Sequence, residues 1–180
     1  ELNAGIDRAA SLIQKLLLTA KVSVENYVPR LQAVDLCGFV QERMASMSVL
    51  AAYKEIDMEL DAPQSCKVQL DRETFISAVD NVLDNAIRYT PAGGQIRVTI
   101  ELMPASDNVV LRIADSGTGI PPELQERVFE RFFRIAGTEQ QGSGLGLAIV
   151  KRVLALHGGD VTLSPGLKQR GLSVSLTVPV

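Results

Sequence analysis

Residues 72–89 have the sequence RETFISAVDNVLDNAIRY. At 100° per residue the apolar side chains fall on one side of a helix, and Asn81, Asn85 and Arg88 gather on the opposite side. Asparagine is a mediocre helix former, but its side chain offers an oxygen to a hard cation and an NH₂ donor to a phosphate. The pattern is typical either of a solvated outer face or of a phosphate and metal site.

The segments around this helix alternate between helix and strand patterns. Thr90-Pro91 and Gly93-Gly94 stop the helix. Further helices are predicted at 38–52 and at about 145–157, the second ended by Gly158-Gly159. Strands are predicted at 55–60, 66–70, 95–102, 108–114, 160–164 and 172–178. This order of elements predicts an α/β domain of ordinary size.

A second polar stretch, Asp115-Ser116-Gly117-Thr118-Gly119-Ile120, follows the predicted strand at 108–114. The strand delivers a carboxylate at its end, and two glycines allow a ligand to approach the backbone closely. A tight turn with aspartate as its turn-forming residue has the same pattern. The segment alone therefore fits a binding site and a turn equally well.

A third stretch, Gly142-Ser143-Gly144-Leu145-Gly146-Leu147, runs directly into a predicted helix. Glycine-rich backbone at a helix N-terminus presents free N–H groups and partial positive charge, which suit a phosphate. Polar residues 139–141 precede it in place of a strand, which excludes a dinucleotide-binding fingerprint, and the chain has no Gly-Lys-Ser/Thr of a P-loop. The alternative interpretation is a flexible loop ahead of a helix.

Between these two stretches lies Phe129-Glu130-Arg131-Phe132-Phe133-Arg134. Its phenylalanines are expected to anchor it to a small core, and Arg131 and Arg134 can then project toward an anion. Residues 136–143 carry almost no apolar side chain. They are therefore predicted to be a mobile lid that becomes ordered around phosphates.

Taken in chain order, the four stretches resemble the N, G1, F and G2 boxes of the GHKL ATP-binding superfamily, and within it those of the sensor histidine kinases. The boxes correspond to residues 80–89, 115–120, 129–134 and 142–147. The resemblance covers about residues 35–180 and implies an α/β sandwich, a mixed sheet with helices on one face and ATP between the helices and a lid. It departs from the family at Thr118, where proline is frequent.

The resemblance also implies roles for matching residues. Asp115 would accept a hydrogen bond from the adenine amino group, and Asn85 would ligate Mg²⁺ through its amide oxygen. Arg131 or Arg134 would contact the γ-phosphate. The other residues that it implies around the nucleotide are Asn81, Arg88, Tyr89, Gly117, Gly119, Ile120, Gly142, Ser143, Gly144, Leu145, Gly146 and Leu147.

The implied activity is transfer of the ATP γ-phosphate to a histidine outside this sequence, and onward transfer to a response regulator. ATP-hydrolysing GHKL machines such as gyrase carry a glutamate four residues before the magnesium asparagine, to activate water. Here that position is Asn81, which cannot accept a proton, so transfer is favoured over hydrolysis. A catalytically inactive nucleotide-sensing module is a third interpretation. The single histidine, His157, is expected to have a structural role at a helix C-terminus.

The N-terminal residues 2–24 are predicted to form one amphipathic helix with apolar residues in heptad spacing. Residues 1–21 resemble the second helix of the family's dimerisation domain, although the helix could instead fold back on its own domain. Residues 26–33 look like a linker. We therefore expect residues 1–26 to belong to a dimerisation and phosphoacceptor domain that lacks its first helix, and residues 27–180 to form the ATP-binding domain.

The composition limits which partners and which cellular compartment are expected for this chain. A net charge of −3 weighs against nucleic acid as the main partner. There is no signal peptide and no run of 18 apolar residues. Cys37 and Cys66 are expected to be free, half-buried thiols in a reducing compartment. The resemblance to the sensor histidine kinases further implies that the sequence is a cytoplasmic portion of an inner-membrane sensor whose parent protein is a homodimer.

Overall fold

The structure, a computed structural model, describes residues 10, 13, 16, 17, 20, 27–135 and 142–180. The described residues before position 27 are all helical, and Ile13, Leu16 and Leu17 among them have exposed side chains. The remainder of the helix predicted at 2–24 lies outside the described residues. Among the described residues, no helix is both long enough and apolar enough to cross a membrane.

A short strand and a long helix open the folded region. Strand β1 (Gln32–Asp35) leads directly into helix α1 (Leu36–Tyr53). The prediction of a linker over 26–33 is wrong for its last two residues, which belong to β1. They form a strand because β1 pairs antiparallel with β3 (Lys67–Leu70), a partner that local sequence does not reveal.

Both cysteines lie beside Asp35. Its Oδ1 atom accepts hydrogen bonds from the backbone N–H groups of Cys37, at 3.3 Å, and Cys66, at 3.0 Å. The two thiols are free, as predicted, and both are buried rather than half-buried. Burial raises the pKa of both thiols above the ordinary value, so they are protonated at neutral pH.

Helix α2 spans Arg72–Tyr89, the bounds that the sequence predicts. It begins where the Asp71 carboxylate accepts a hydrogen bond from the N–H of Thr74 at 3.2 Å. It ends at Thr90, which has extended backbone and precedes a proline. The apolar side of α2 is buried, and Phe75 and Leu83 are completely inaccessible.

A five-stranded mixed sheet forms the second layer. Its strands are β2 (Asp57–Asp61), β4 (Gln95–Met103), β5 (Asn108–Asp115), β6 (Asp160–Pro165) and β7 (Leu172–Pro179), in the spatial order β2-β4-β5-β7-β6. The β2–β4 pair is parallel and the other pairs are antiparallel. Helix α3 (Gly146–Leu156) lies between β5 and β6 in the sequence.

The three helices cover one face of this sheet. Alternate residues of the central strands point toward the helices and are buried, as at Val98, Leu111 and Leu176. The opposite face carries polar side chains such as Arg97 and Arg112, which are about half exposed. The arrangement confirms the predicted fold class of a mixed sheet with helices on one face.

Candidate functional site

Asn81 lies at the contact between α2 and α3. The sequence predicts it on the polar side of α2 with Asn85 and Arg88, but only 4% of its surface is exposed. It is buried because the start of α3 packs across it: a Cβ built on Gly146 would lie 3.2 Å from Asn81 Oδ1. Its Nδ2 group donates to the carbonyl oxygen of Ser77 at 2.8 Å. The Asn81 oxygen therefore lies beneath the glycine-rich segment.

Asn85 and Arg88 are half-buried on the same side of α2. Arg88 donates through Nη2 to Asp84 Oδ2 at 2.9 Å, and a Cβ built on Gly142 would lie 3.4 Å from Arg88 Nη1. Helix α2 and the glycine-rich segment therefore meet at Arg88. Within the described part of the chain, the Asn85 amide makes no hydrogen bond. The half-buried Tyr89 completes this side of the helix.

The Asn85 amide fits a magnesium ion that is held mainly by phosphates. Mg²⁺ in nucleotide sites keeps several waters and takes only one or two protein ligands besides the phosphates. Among the described residues, no group of three or more His, Cys, Asp and Glu side chains could hold a metal ion. The Asn85 oxygen has no competing hydrogen bond from the described residues and lies on α2 between Asn81 and Arg88, which both meet the glycine-rich segment. It therefore suits a metal ion held mainly by phosphates better than one held by protein ligands alone.

Asp115 ends β5 with its carboxylate nearly buried, at 4% exposure. The Oδ1 atom accepts hydrogen bonds from the N–H of Gly117 at 2.8 Å and from the N–H of Leu172 at 3.1 Å. Burial raises the pKa of the carboxyl, and the two N–H donors oppose part of that rise. Because Oδ1 is occupied by the backbone, Oδ2 is the oxygen left to accept a hydrogen bond from a ligand.

Three glycines are required by the close packing around Asp115. A Cβ on Gly117 would overlap the Tyr89 carbonyl oxygen, and one on Gly119 would lie 2.6 Å from the carbonyl oxygen of Gly171. A Cβ on Gly171 itself would overlap the Asp115 backbone and lie 2.5 Å from Asp115 Oδ1. The sequence analysis attributed the first two to the close approach of a ligand, but each also has a protein neighbour that excludes a side chain. Gly171 was not predicted, because it lies far from Asp115 in sequence.

Gly171→Ala is expected to lower both the free energy of unfolding and nucleotide affinity. Gly171 has φ +70°, and its added Cβ would push Asp115 out of place. Gly93 has φ +73° with no atom within 4 Å of its Cβ position, so Gly93→Ala isolates the backbone strain of about 1 kcal/mol. Gly171→Ala should cost about 2 kcal/mol more than this control and weaken ATP binding, as measured by urea unfolding and calorimetric titration. Equal losses in the two variants would contradict the packing argument.

The glycine-rich segment is anchored before it enters α3. Gly144 has φ +69°, and its added Cβ would lie 2.7 Å from the carbonyl carbon of Phe132. The Phe132 N–H donates to the Gly144 carbonyl at 2.9 Å. Leu145 and Leu147 belong to the core, with 0% and 9% exposure. Only their backbone can therefore reach a ligand. The cap residue Leu145 donates its N–H to Ser143 Oγ at 3.4 Å, but no side chain of the described residues caps the first N–H groups within α3, which leaves them for an anion.

The segment at 129–134 is held by aromatic and cationic contacts. The guanidinium of Arg127 lies over the Phe133 ring at 4.3 Å, and the Lys151 ammonium lies over the Phe129 ring at 5.2 Å. Arg131 and Arg134 are exposed, and their contact with a γ-phosphate stays a prediction.

Phe132 is 65% exposed and has φ +64°, a strained backbone conformation for an aromatic residue. Of the segment predicted as a lid at 136–143, residues 136–141 lie outside the described residues.

Both ring nitrogens of His157 are occupied. Nε2 accepts a hydrogen bond from the backbone N–H of Asp71 at 2.9 Å, and Nδ1 lies 2.7 Å from the Val153 carbonyl oxygen. The ring is 8% exposed and packs edge-on against Phe75. These contacts support the structural role expected for His157. They also join the end of α3 to the start of α2, a link that the sequence analysis missed.

A protein-family model and the sequences of known proteins both match this chain. Residues 70–180 match the family model described as Histidine kinase-, DNA gyrase B-, and HSP90-like ATPase. The swarming motility regulation sensor protein RssA of Serratia marcescens is 36% identical over 180 residues, which are 99% of this chain and 38% of RssA. The chain thus spans less than half the length of the curated relatives that it matches.

Solved structures agree. A mycobacterial sensor histidine kinase, MprB, is 34% identical with a TM-score of 0.71, and the match covers 83% of this chain and 97% of that one. Full-length ShkA, solved in complex with AMPPNP, is 27% identical with a TM-score of 0.85, and the match covers 96% of this chain and 36% of ShkA.

Proposed function

Because the chain belongs to the family of histidine kinase-, DNA gyrase B- and HSP90-like ATPases, we propose that it binds Mg-ATP and transfers the γ-phosphate to a histidine of a sensor kinase. The acceptor histidine lies outside this sequence, and a response regulator would receive the phosphoryl group next. The similarity to RssA and to ShkA, which was solved with AMPPNP, supports this proposal.

The nucleotide would lie between α2, the loop after Asp115 and the start of α3. The Oδ2 atom of Asp115 would accept a hydrogen bond from the adenine amino group, with Gly117, Gly119 and Ile120 beside the purine. Arg88 and the free N–H groups of α3 would contact the phosphates, because the Arg88 guanidinium already lies next to Gly142. The other backbone contacts to phosphate would come from Ser143, Gly144, Leu145, Gly146 and Leu147.

The magnesium ion would be held by the Asn85 oxygen together with the phosphates. When bound, it would neutralise negative charge on the phosphate oxygens. Arg131 and Arg134 supply positive charge at the segment that packs against Gly144, and either could contact the γ-phosphate.

The observation that favours transfer over hydrolysis is Asn81. A hydrolytic enzyme needs a carboxylate to take the proton of the attacking water, and an amide cannot do so. Asn81 is buried against α3 with its Nδ2 group bonded to Ser77, so it would orient the phosphate region without activating a water molecule for hydrolysis. An ATP-hydrolysing machine and an inactive nucleotide sensor are the competing functions that the experiment below separates.

The N-terminal helix would connect this domain to its partners. We assign residues 1–26 to the dimerisation and phosphoacceptor domain and residues 27–180 to the ATP-binding domain. Ile13, Leu16 and Leu17 are helical and exposed, which suits packing in a bundle with another helix. The parent protein would be a homodimeric inner-membrane sensor with this portion in the cytoplasm, so the acceptor helix could come from either protomer.

A trans-phosphorylation assay tests the proposal. With γ-labelled ATP, the chain alone should bind nucleotide but carry no label, because both nitrogens of His157 are occupied and the ring is buried. Adding the dimeric helical segment that contains the acceptor histidine should produce acid-labile label on that segment only.

The controls distinguish the alternatives. A helical segment with glutamine in place of the acceptor histidine should stay unlabelled, and Asn85→Ala should abolish labelling. Release of inorganic phosphate without labelling of the segment would indicate a hydrolase. ATP binding with neither reaction would indicate an inactive sensor, and label on His157 would overturn the assignment of a separate acceptor.

A further inference from the structure

Lys54 lies where α1 ends, immediately before Glu55, which has φ +55°. Its ammonium group reaches across to the far end of α2, more than thirty residues away in sequence. It donates hydrogen bonds to three backbone carbonyl oxygens: Ile87 at 2.7 Å, Arg88 at 3.0 Å and Thr90 at 2.6 Å. All three N–H donors of the ammonium group are therefore used on the last turn of α2.

The end of α2 needs such a donor. The last carbonyl groups of a helix have no partner within the helix, and the helix dipole makes this end negative. Thr90 donates its own N–H to the Ala86 carbonyl, and the residue after it is a proline, which has no N–H to offer. The backbone carbonyl oxygen of Lys54 also accepts a hydrogen bond from the Gly93 N–H at 3.0 Å. One residue therefore fixes both the last turn of α2 and the turn that follows.

This end of α2 belongs to the candidate nucleotide site. Arg88 extends its guanidinium toward Gly142, while its carbonyl is held by Lys54. Tyr89 comes next, and its carbonyl oxygen fills the space where Gly117 lacks a side chain. The position of this turn thus determines how the phosphate side of the site is placed relative to the loop of Asp115.

We propose that Lys54 is a positioning residue for nucleotide binding, which aligns the Arg88–Thr90 turn with the Asp115 loop without touching the ligand. The inference rests on the proposed function, because it assigns Lys54 to the same ATP site. A purely structural role is the alternative: Lys54 would stabilise the fold, and a folded variant would bind ATP normally.

Lys54→Met separates the two roles, because it keeps most of the apolar stem and removes the three donors. ATP affinity, measured by calorimetric titration at a temperature where the variant is fully folded, should fall about ten- to a hundredfold. Lys67→Met changes an exposed lysine on β3 and should leave affinity unchanged. Val109→Ala removes core volume about 20 Å along β5 from Asp115, so it should lower stability and leave affinity unchanged.

Chemical rescue of ATP affinity is a second measurement that separates the two roles. If Lys54 only stabilised the fold, a folded variant would have no loss of ATP affinity to restore. In Lys54→Ala, propylammonium chloride at tens of millimolar should restore most of the lost ATP affinity, because its NH₃⁺ group can donate to the same carbonyl oxygens. Tetramethylammonium chloride carries the same charge without an N–H donor and should have no effect.

Three results would count against the inference. Wild-type affinity in folded Lys54→Met, or a loss in Val109→Ala as large as in Lys54→Met, would overturn it while leaving the ATP site intact. Failure of the wild-type chain to bind ATP would instead overturn the proposed function, and the inference with it.

Discussion

Asn85→Ala is expected to abolish phosphotransfer and the magnesium dependence of ATP binding while leaving the fold intact. The Asn85 amide makes no hydrogen bond to the described residues, so its loss leaves no buried partner unsatisfied. Its oxygen is the protein ligand that we assign to Mg²⁺. Losing that ligand should lower the rate of labelling in trans by about a hundredfold or more.

The matched control is Asn108→Ala, the same chemical change at the opposite end of β5 from Asp115. It should bind ATP and respond to Mg²⁺ as the wild type does. The measurement is calorimetric titration of ATP with Mg²⁺ and with EDTA, beside the labelling assay. A wild-type response to Mg²⁺ in Asn85→Ala would show that another residue holds the metal.

The fold was predictable where local pattern and tertiary structure agree. The bounds of α2 were predicted from its apolar stripe and from Thr90-Pro91, which ends it, and in the structure that stripe faces a core and Asp71 caps the start. Strand β1 was not predicted at all, because a four-residue strand has little pattern of its own and forms through pairing with β3. Its partner lies more than thirty residues away, beyond the reach of local periodicity.

The site was predictable only as far as its residues are contiguous in sequence. Each glycine-bearing stretch carries its own pattern, so Asp115 and Gly142 could be singled out. The Leu172 N–H on Asp115 and the Lys54 ammonium on α2 are contacts between distant segments, and a backbone donor or a lone lysine has no signature. The polar face of α2 gave no sign that Asn81 is buried, because helical periodicity does not reveal which polar residues a second helix covers.

Asp115→Asn should weaken ATP binding about ten- to a hundredfold and improve the relative affinity for GTP. The amide oxygen of the new side chain can still accept hydrogen bonds from the N–H groups of Gly117 and Leu172, so the loop after residue 115 stays in place. The side chain would then present an NH₂ donor to the ligand in place of Oδ2. That donor opposes the adenine amino group and suits the exocyclic oxygen of guanine.

The stability of Asp115→Asn should also differ from that of the wild type in its dependence on pH. Burial raises the pKa of Asp115 in the folded state above its ordinary value of 3.8. The folded state therefore holds this proton more tightly than the unfolded state does, so the wild type loses stability as pH rises from 3.8 through the raised pKa. The amide in Asp115→Asn does not titrate, so the stability of this variant relative to the wild type should increase over that interval and stay constant above it.

Asp115→Ala completes the set, because it removes both carboxylate oxygens. It should lose ATP affinity at least as strongly as Asp115→Asn, and it should lose stability as well, since the N–H groups of Gly117 and Leu172 lose their acceptor. Urea unfolding from pH 3 to pH 8 measures the stability of each variant and its pH dependence. Titrations with ATP and GTP measure the affinities for the two nucleotides. Wild-type ATP affinity in both variants would remove Asp115 from the adenine site, even if the pH dependence followed the expected course, because burial of the carboxyl alone produces that dependence.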